Sequence, residues 1–291
     1  MFKLLDTLKS TAPGLDNIPS WFLRLSAPIL ARPLARLYNL SLTTSTVPTQ
    51  WKTSVITPVA KVSHPTACSD YRPISITPIV SRLLEKLIVR HFLYPIFTDP
   101  NYSKLVKDQF AFRPTGSTTA ALINLLHLLT NLLQTYPYVH LIALDFSKAF
   151  DTVRHSTLLE KCCSLPIGDN VYNWLISYLE NREHCTKFNG TVSATKPINA
   201  SIVQGSGIGP LAFVITASDL KPKFVGNHLN KYADDSILIV PSINTNSMSE
   251  ELVHVANWAK INNLKLNFSK TKEIITRRPK FKLKDLPPTL P

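Results

Sequence analysis

Two short segments place aspartates where a globular chain ordinarily carries apolar residues: Ala143-Leu144-Asp145-Phe146 and Tyr232-Ala233-Asp234-Asp235-Ser236. An Asp pair in a turn, taken alone, reads as a solvated turn. Two such segments at the ends of apolar runs read differently, because clustered carboxylates repel one another unless a hard, oxygen-preferring cation neutralises them. Asp145, Asp234 and Asp235 are therefore candidate ligands for Mg²⁺, with Mn²⁺ as an alternative ion. Two such ions about 4 Å apart are the arrangement for in-line phosphoryl transfer, one activating the attacking hydroxyl and one stabilising the departing oxygen.

The elements around these residues follow from periodicity and turn chemistry. Val139 to Leu144 is a short apolar run that ends on Asp145, as a buried strand would, and Leu229 to Ala233 with Ser236 to Val240 flank a two-residue Asp-Asp turn, a hairpin with carboxylates at its tip. Upstream, Ala27 to Leu42 has helical spacing, with Pro28 and Pro33 expected to confine the helix to the residues after them. Trp51 to Ala60 is β-branched and reads as a strand; Ile79 to Phe97 reads as one long amphipathic helix with Arg82, Glu85, Lys86 and Arg90 facing outward. Thr115 to Thr119 caps a second helix, the leucine-rich Ala120 to Gln134, which is expected to be core. Asn189-Gly190 signals a hairpin, and Ser249 to Asn263 an amphipathic helix carrying Leu252, Val255, Ala256 and Trp258.

Composition narrows the partner. Lys and Arg outnumber Asp and Glu by 32 to 19 in 291 residues, a formal charge of +13, which suits a polyanion, nucleic acid or an anionic membrane surface, or simply solubility. No apolar run reaches the roughly 18 residues that span a bilayer, and the N-terminus lacks a signal-peptide layout, so no membrane partner is expected and the chain is expected inside the cell, in nucleus or cytoplasm. Cys68, Cys162, Cys163 and Cys185 have neither CxxC spacing nor paired histidines and read as reduced thiols.

The ordered motifs carry a more specific signal. Leu144-Asp145-Phe146-Ser147-Lys148-Ala149-Phe150-Asp151 and Tyr232-Ala233-Asp234-Asp235 resemble the two metal-binding motifs of reverse transcriptases, in the form found in non-LTR, LINE-type, jockey-like retrotransposons. Pro13-Gly14-Leu15-Asp16 resembles the leading motif of that family. Trp51, Pro58, Lys61, Asp70-Tyr71-Arg72-Pro73-Ile74 and Leu84-Glu85-Lys86 resemble its fingers motifs, and Gln109-Phe110-Ala111-Phe112-Arg113-Pro114 with Ser117-Thr118-Thr119 its next block. Gln204-Gly205-Ser206 with Gly209-Pro210 matches the nucleotide pocket, and Leu266-Asn267 with Lys270-Thr271 the motif after the catalytic hairpin. The resemblance runs in the family's order from about residue 11 to 276.

The resemblance implies an α+β right-hand polymerase: a palm with a small antiparallel sheet backed by helices, and a fingers subdomain, with the thumb largely missing. The expected division is an extension at 1–50, fingers at 51–137, palm at 138–276 and a basic, Pro-rich tail at 277–291. It implies RNA-templated addition of dNTPs to a DNA primer with two Mg²⁺ ions, in a ribonucleoprotein, and an endonuclease domain in a longer parent polyprotein. Asp145, Asp234 and Asp235 become catalytic metal ligands with Phe146 at the same metal site; Lys61 and Arg72 clamp the triphosphate; Phe146, Ala149, Gln204 and Gly205 border the incoming nucleotide. Phe150 falls at the family's sugar gate, although a core phenylalanine would suit that position too, and Lys270 falls on the lysine proposed to protonate pyrophosphate, or else contacts a backbone phosphate. One departure concerns Ser201-Ile202-Val203, which stands where the family commonly has Gly-Val-Pro. Two rivals are an idle nucleic-acid-binding remnant, which has no need of intact carboxylates, and an RNA-templated RNA polymerase, opposed by Ala233 and Phe150.

Overall fold

In this computed structural model, residues 1–203, 205–279 and 282 are described. Contacts divide the chain into two units that alternate along the sequence: Met1–Ile96 with His155–Pro210, and Phe97–Arg154 with Leu211–Pro291.

The first unit opens with three helices, α1 (Phe2–Asp6), α2 (Ser20–Leu25) and α3 (Ala27–Thr43). Contrary to the expectation from its prolines, α3 runs straight through Pro33. Pro28 lies in the first turn, where no amide partner is needed, and the carbonyl that Pro33 orphans belongs to Ile29, a residue 77% exposed whose backbone water can satisfy. Strands β1 (Thr53–Ala60) and β2 (Tyr71–Ile76) form an antiparallel hairpin in which Val59 faces Arg72. Then comes α4 (Ile79–Ile88), followed by a π-helical turn at Val89–Leu93 and α5 (Tyr94–Thr98), so the predicted single helix is interrupted. The reason is Pro95, whose ring would press on the carbonyl four residues back at His91, and a widened turn there relieves the clash. Glu85, expected outside, is fully buried.

The chain next builds the second unit. Helix α6 (Thr118–Thr135) starts at Ser117, whose hydroxyl accepts from the Ala120 amide at 3.0 Å. It is not uniformly core: Leu129 packs with Val139 and Ile239, while Leu122, Ile123 and Leu126 are 59–63% exposed. Eighteen residues rich in leucine exceed what one sheet face can cover. Strand β3 (Tyr138–Leu144) leads to β4 (Phe146–Ser147) and a short α7 (Ala149–Thr152).

Back in the first unit, α8 (His155–Cys163) and α9 (Asp169–Leu179) precede β5 (Arg182–Phe188), β6 (Thr191–Val192) and β7 (Lys196–Ile198). Asn189 and Gly190 both take positive φ in the β5–β6 turn, as the hairpin signal demanded. β5 runs parallel to β1, so this sheet is mixed, ordered β2-β1-β5-β6 with β7 also on β5.

Helix α10 (Gly209–Thr216) then leads into β8 (His228–Tyr232), β9 (Asp235–Pro241), α11 (Met248–Ile261), β10 (Lys265–Leu266) and β11 (Lys272–Arg277). The second unit's sheet is wholly antiparallel, β11-β3-β9-β8, and its central strands bury Val139, Ile142, Leu238 and Ile239 completely. Val255, Trp258 and Ala259 form the buried face of α11. All four cysteines are free. Among the described residues no helix is long and apolar enough to cross a membrane. The expected tail at 277–291 lies mostly outside the described residues.

Candidate active site

β3 and β9 pair with Leu144 opposite Ser236, so Asp145 follows directly on the strand that lies beside the hairpin's second arm. In that hairpin Tyr232 pairs with Asp235, which makes the two turn residues Ala233 and Asp234, one position earlier than the expected Asp-Asp turn. Ala233 takes φ 56°, the left-handed region, and this leaves Asp235 as the first residue of β9. The register thereby brings Asp145, Asp234 and Asp235 to the same end of two adjacent strands.

Their charges interact. Burial holds the Asp234 carboxyl above the ordinary carboxylate range, and the negative charges of Asp235 and Asp145 push it the same way, against the pull of its own backbone amide. Such an anionic oxygen set suits a hard cation by charge and donor type. The fit stops short of a finished cage, since no three His, Cys, Asp or Glu side chains among the described residues are grouped to hold a metal ion.

Several backbone contacts tie neighbouring motifs to this corner. The Asn267 amide donates to the Asp145 carbonyl at 2.8 Å, and the turn it opens closes with Lys270 and Thr271 amides donating to the Asn267 carbonyl. Lys270 is thus exposed on a turn anchored to Asp145. Phe146 is buried edge-on to Trp258 at 5.9 Å, with its strand paired to β10 at Leu266. Ala149 is 3% exposed, and the half-buried Phe150 ring stacks on Phe213 at 4.6 Å.

The remaining predicted residues belong to the first unit. Lys61 and Arg72 stand at the mouth of the β1–β2 hairpin, both exposed; the Lys61 ammonium donates to the Ser69 carbonyl at 2.9 Å. Gly205 takes φ 117° and a Cβ there would lie 2.4 Å from the Ser75 carbonyl oxygen, so only glycine fits against β2. Gln204 lies outside the described residues. Ser201, which replaces the family's glycine, still holds φ 91°, a glycine-type conformation beyond the small left-handed region open to other residues.

The sequence profile described as "Reverse transcriptase (RNA-dependent DNA polymerase)" matches residues 59–282. This chain belongs to the reverse transcriptase family. A protein described as "Probable RNA-directed DNA polymerase from transposon BS" of Drosophila melanogaster is 32% identical over 98% of the chain, and the "RNA-directed DNA polymerase from mobile element jockey" of the same species is 29% identical over 89%. The chain covers 32% and 29% of those proteins, about a third of their length. Among solved structures, a Candida tropicalis telomerase truncated from its C-terminal domain superposes with TM-score 0.56 at 15% identity, over 86% of this chain and 56% of that one. The fold is accordingly the right-hand polymerase type with palm and fingers.

Three residues that support the motifs of this reverse transcriptase chain escaped the sequence reading as to role. Gln109, 2% exposed, holds the hairpin tip: its Oε1 accepts from the Ala233 amide at 2.9 Å and its Nε2 donates to the Ala233 carbonyl at 3.2 Å. Lys231, fully buried on β8, donates to the carbonyls of Ala217 and Leu220 and pairs with Asp108 at 3.2 Å. Burial lowers its pKa to about 8, against the attraction of Asp108. In the first unit, buried Glu85 accepts from the Gly207 amide at 2.7 Å, just after the Gln204-Gly205 motif. A signal existed for two of them, since Gln109 and Glu85 lie within motifs; a strand lysine offers none.

Proposed function

We propose that this chain is the RNA-directed DNA polymerase core of a non-LTR retrotransposon, adding dNTPs to a primer 3′-hydroxyl on an RNA template. The observation that carries the reading is the trio Asp145, Asp234 and Asp235 at one end of β3 and β9, with the Asp234 carboxyl raised by burial and by its neighbours' charges. The descriptions of the jockey and BS relatives as RNA-directed DNA polymerases support it.

In this reading Asp145, Asp234 and Asp235, with the backbone carbonyl of Phe146, would hold two Mg²⁺ ions, which would supply charge neutralisation for phosphoryl transfer. Lys61 and Arg72 hold the triphosphate, Lys as a point charge and Arg through its planar fork. Gln204 and Gly205 border the nucleotide with Ala149 and Phe150, whose ring excludes a ribose 2′-hydroxyl. Lys270 delivers a proton to the departing pyrophosphate. Residues 51–137 serve as fingers and 138–276 as palm, working with an endonuclease elsewhere in the parent polyprotein. The +13 charge tracks the template and primer backbones.

The test is primer extension on poly(A)/oligo(dT) with Mg²⁺. Asp234→Asn is expected to lower the rate by about a thousandfold, because the neutral amide no longer supplies the anionic oxygen that holds the cation facing the developing charge. Affinity for primer-template stays near the wild-type value, because it rests on distributed cations. Extension that survives the substitution removes the metal assignment.

A further inference from the structure

We propose that Gln109 is the positioning residue of the catalytic hairpin, fixing through one side-chain amide both backbone groups of Ala233, the left-handed residue that aims Asp234. The inference rests on the proposed polymerase function for what the hairpin does, and on geometry alone for how it is held.

Ala233 is a non-glycine residue at φ 56°, and a two-residue turn built on it needs an outside partner to stay in one conformation. Turn peptides ordinarily satisfy their N–H and C=O groups with water or with each other. Here both groups of Ala233, which is 8% exposed, are taken by Gln109. The side-chain amide meets the backbone as one peptide meets another, accepting at 2.9 Å and donating at 3.2 Å. The same Oε1 also accepts from the Ala111 amide at 3.0 Å, which locks the glutamine's own rotamer.

The segment bearing Gln109 is itself fastened to the hairpin arm. The Lys231 amide donates to the Asp108 carbonyl at 2.7 Å, and the Phe110 amide to the Lys231 carbonyl at 2.8 Å, so residues 108–110 run beside β8 like a short parallel strand. The buried Lys231–Asp108 pair braces the same junction. Gln109 therefore sits between two backbone hydrogen bonds with its side chain directed at the tip. Only an uncharged group that both donates and accepts fills this place: a carboxylate would face the Ala233 carbonyl with like charge and would add a fourth anion beside Asp234 and Asp235.

The decisive experiment is residue-resolved amide hydrogen exchange on the full chain without metal, comparing wild type with Gln109→Met and Gln109→Asn. Loss of the amide is expected to speed exchange at Ala233 and Ala111 together by about tenfold or more, while Phe110 and Lys231, held by backbone partners, keep their protection. A role confined to general stability would instead raise exchange throughout the sheet, and unchanged exchange at Ala233 would overturn the proposal. Steady-state extension supplies the second readout. Folded Gln109→Met should lose about 10–100-fold in kcat with little change in KM for dNTP, since small misplacements of a reacting group cost rate heavily. A kcat within about threefold of wild type, when Asp234→Asn is inactive in the same assay, likewise overturns it. Should wild type fail to extend the primer, the polymerase reading fails, and should Asp234→Asn remain active, the metal assignment fails; in either case the exchange result still decides whether Gln109 holds the tip. If the Met variant does not fold, the Asn variant, which keeps the amide one methylene short, gives the same comparison.

Discussion

Each unit fastens a loop of interest with one buried polar side chain, and the two units do it with opposite chemistry. In the first, Glu85 collects four donors: the Ser81 hydroxyl at 2.8 Å, the Tyr178 hydroxyl at 3.1 Å, and the Gly207 and Ile208 amides at 2.7 and 3.4 Å. In the second, Gln109 meets the N–H and C=O of a single residue, Ala233, with one acceptor and one donor. The difference comes from the groups each loop presents. Gly207 and Ile208 come just before α10, where a helix start leaves amides without partners and a positive dipole end, so an anionic acceptor suits them. The Ala233 turn presents both an N–H and a C=O, and it lies beside two carboxylates, so a neutral amide suits it. A glycine completes the first arrangement: a Cβ on Gly207 would lie 2.8 Å from the Glu85 Cβ.

The largest effect that would test this contrast is on stability at Glu85. Glu85→Ala strands four donors, three of them on buried residues, and should cost roughly 3–5 kcal/mol in urea denaturation, at about 1–3 kcal/mol for each group left unsatisfied, with partial relief from water. Glu85→Gln, which turns an NH₂ toward donors, should cost less, about 1–2 kcal/mol. A Glu85→Ala variant as stable as wild type would break the comparison.

Next in size is specificity in the second unit, where the Phe150 ring is backed by Phe213 rather than by a polar anchor. Phe150→Val should lower the kcat/KM preference for dGTP over GTP by about 10–100-fold, roughly 1.4–2.7 kcal/mol, without abolishing extension. An unchanged ratio with lowered stability would show that the stacked ring serves packing alone.

The smallest expected effect concerns strain. Ala233 and Ser201 both hold positive φ, but Ala233 has its N–H and C=O clamped by Gln109, whereas the Ser201 carbonyl meets a ring nitrogen of His155 at 3.1 Å. Ser201→Gly should therefore stabilise the protein by about 1 kcal/mol, seen as a higher urea midpoint with unchanged m-value. No gain would mean that the φ of 91° is not strained in its surroundings.

The sequence by itself determined the features that depend on neighbours along the chain. The Asn189-Gly190 turn, the Ser117 cap, the strand running into Asp145 and the hairpin carrying Asp234 are each written in a few consecutive residues, because turn and cap preferences act over that range. Polar residues destined for burial are not so written. Glu85, Gln109 and Lys231 occupy positions that periodicity assigns to the surface or leaves undecided, and only partners far along the chain, at Gly207, Ala233 and Asp108, make their burial favourable. The same holds for backbone exceptions. Pro33 stays helical, Pro95 widens a turn, and the tip shifts by one residue onto Ala233, because tertiary partners or solvent satisfied the groups that local rules counted as lost. Local sequence placed Asp145 at the end of its strand and Asp234 in its turn; strand register brought them to one end of the sheet, and a glutamine from another motif bonds the tip.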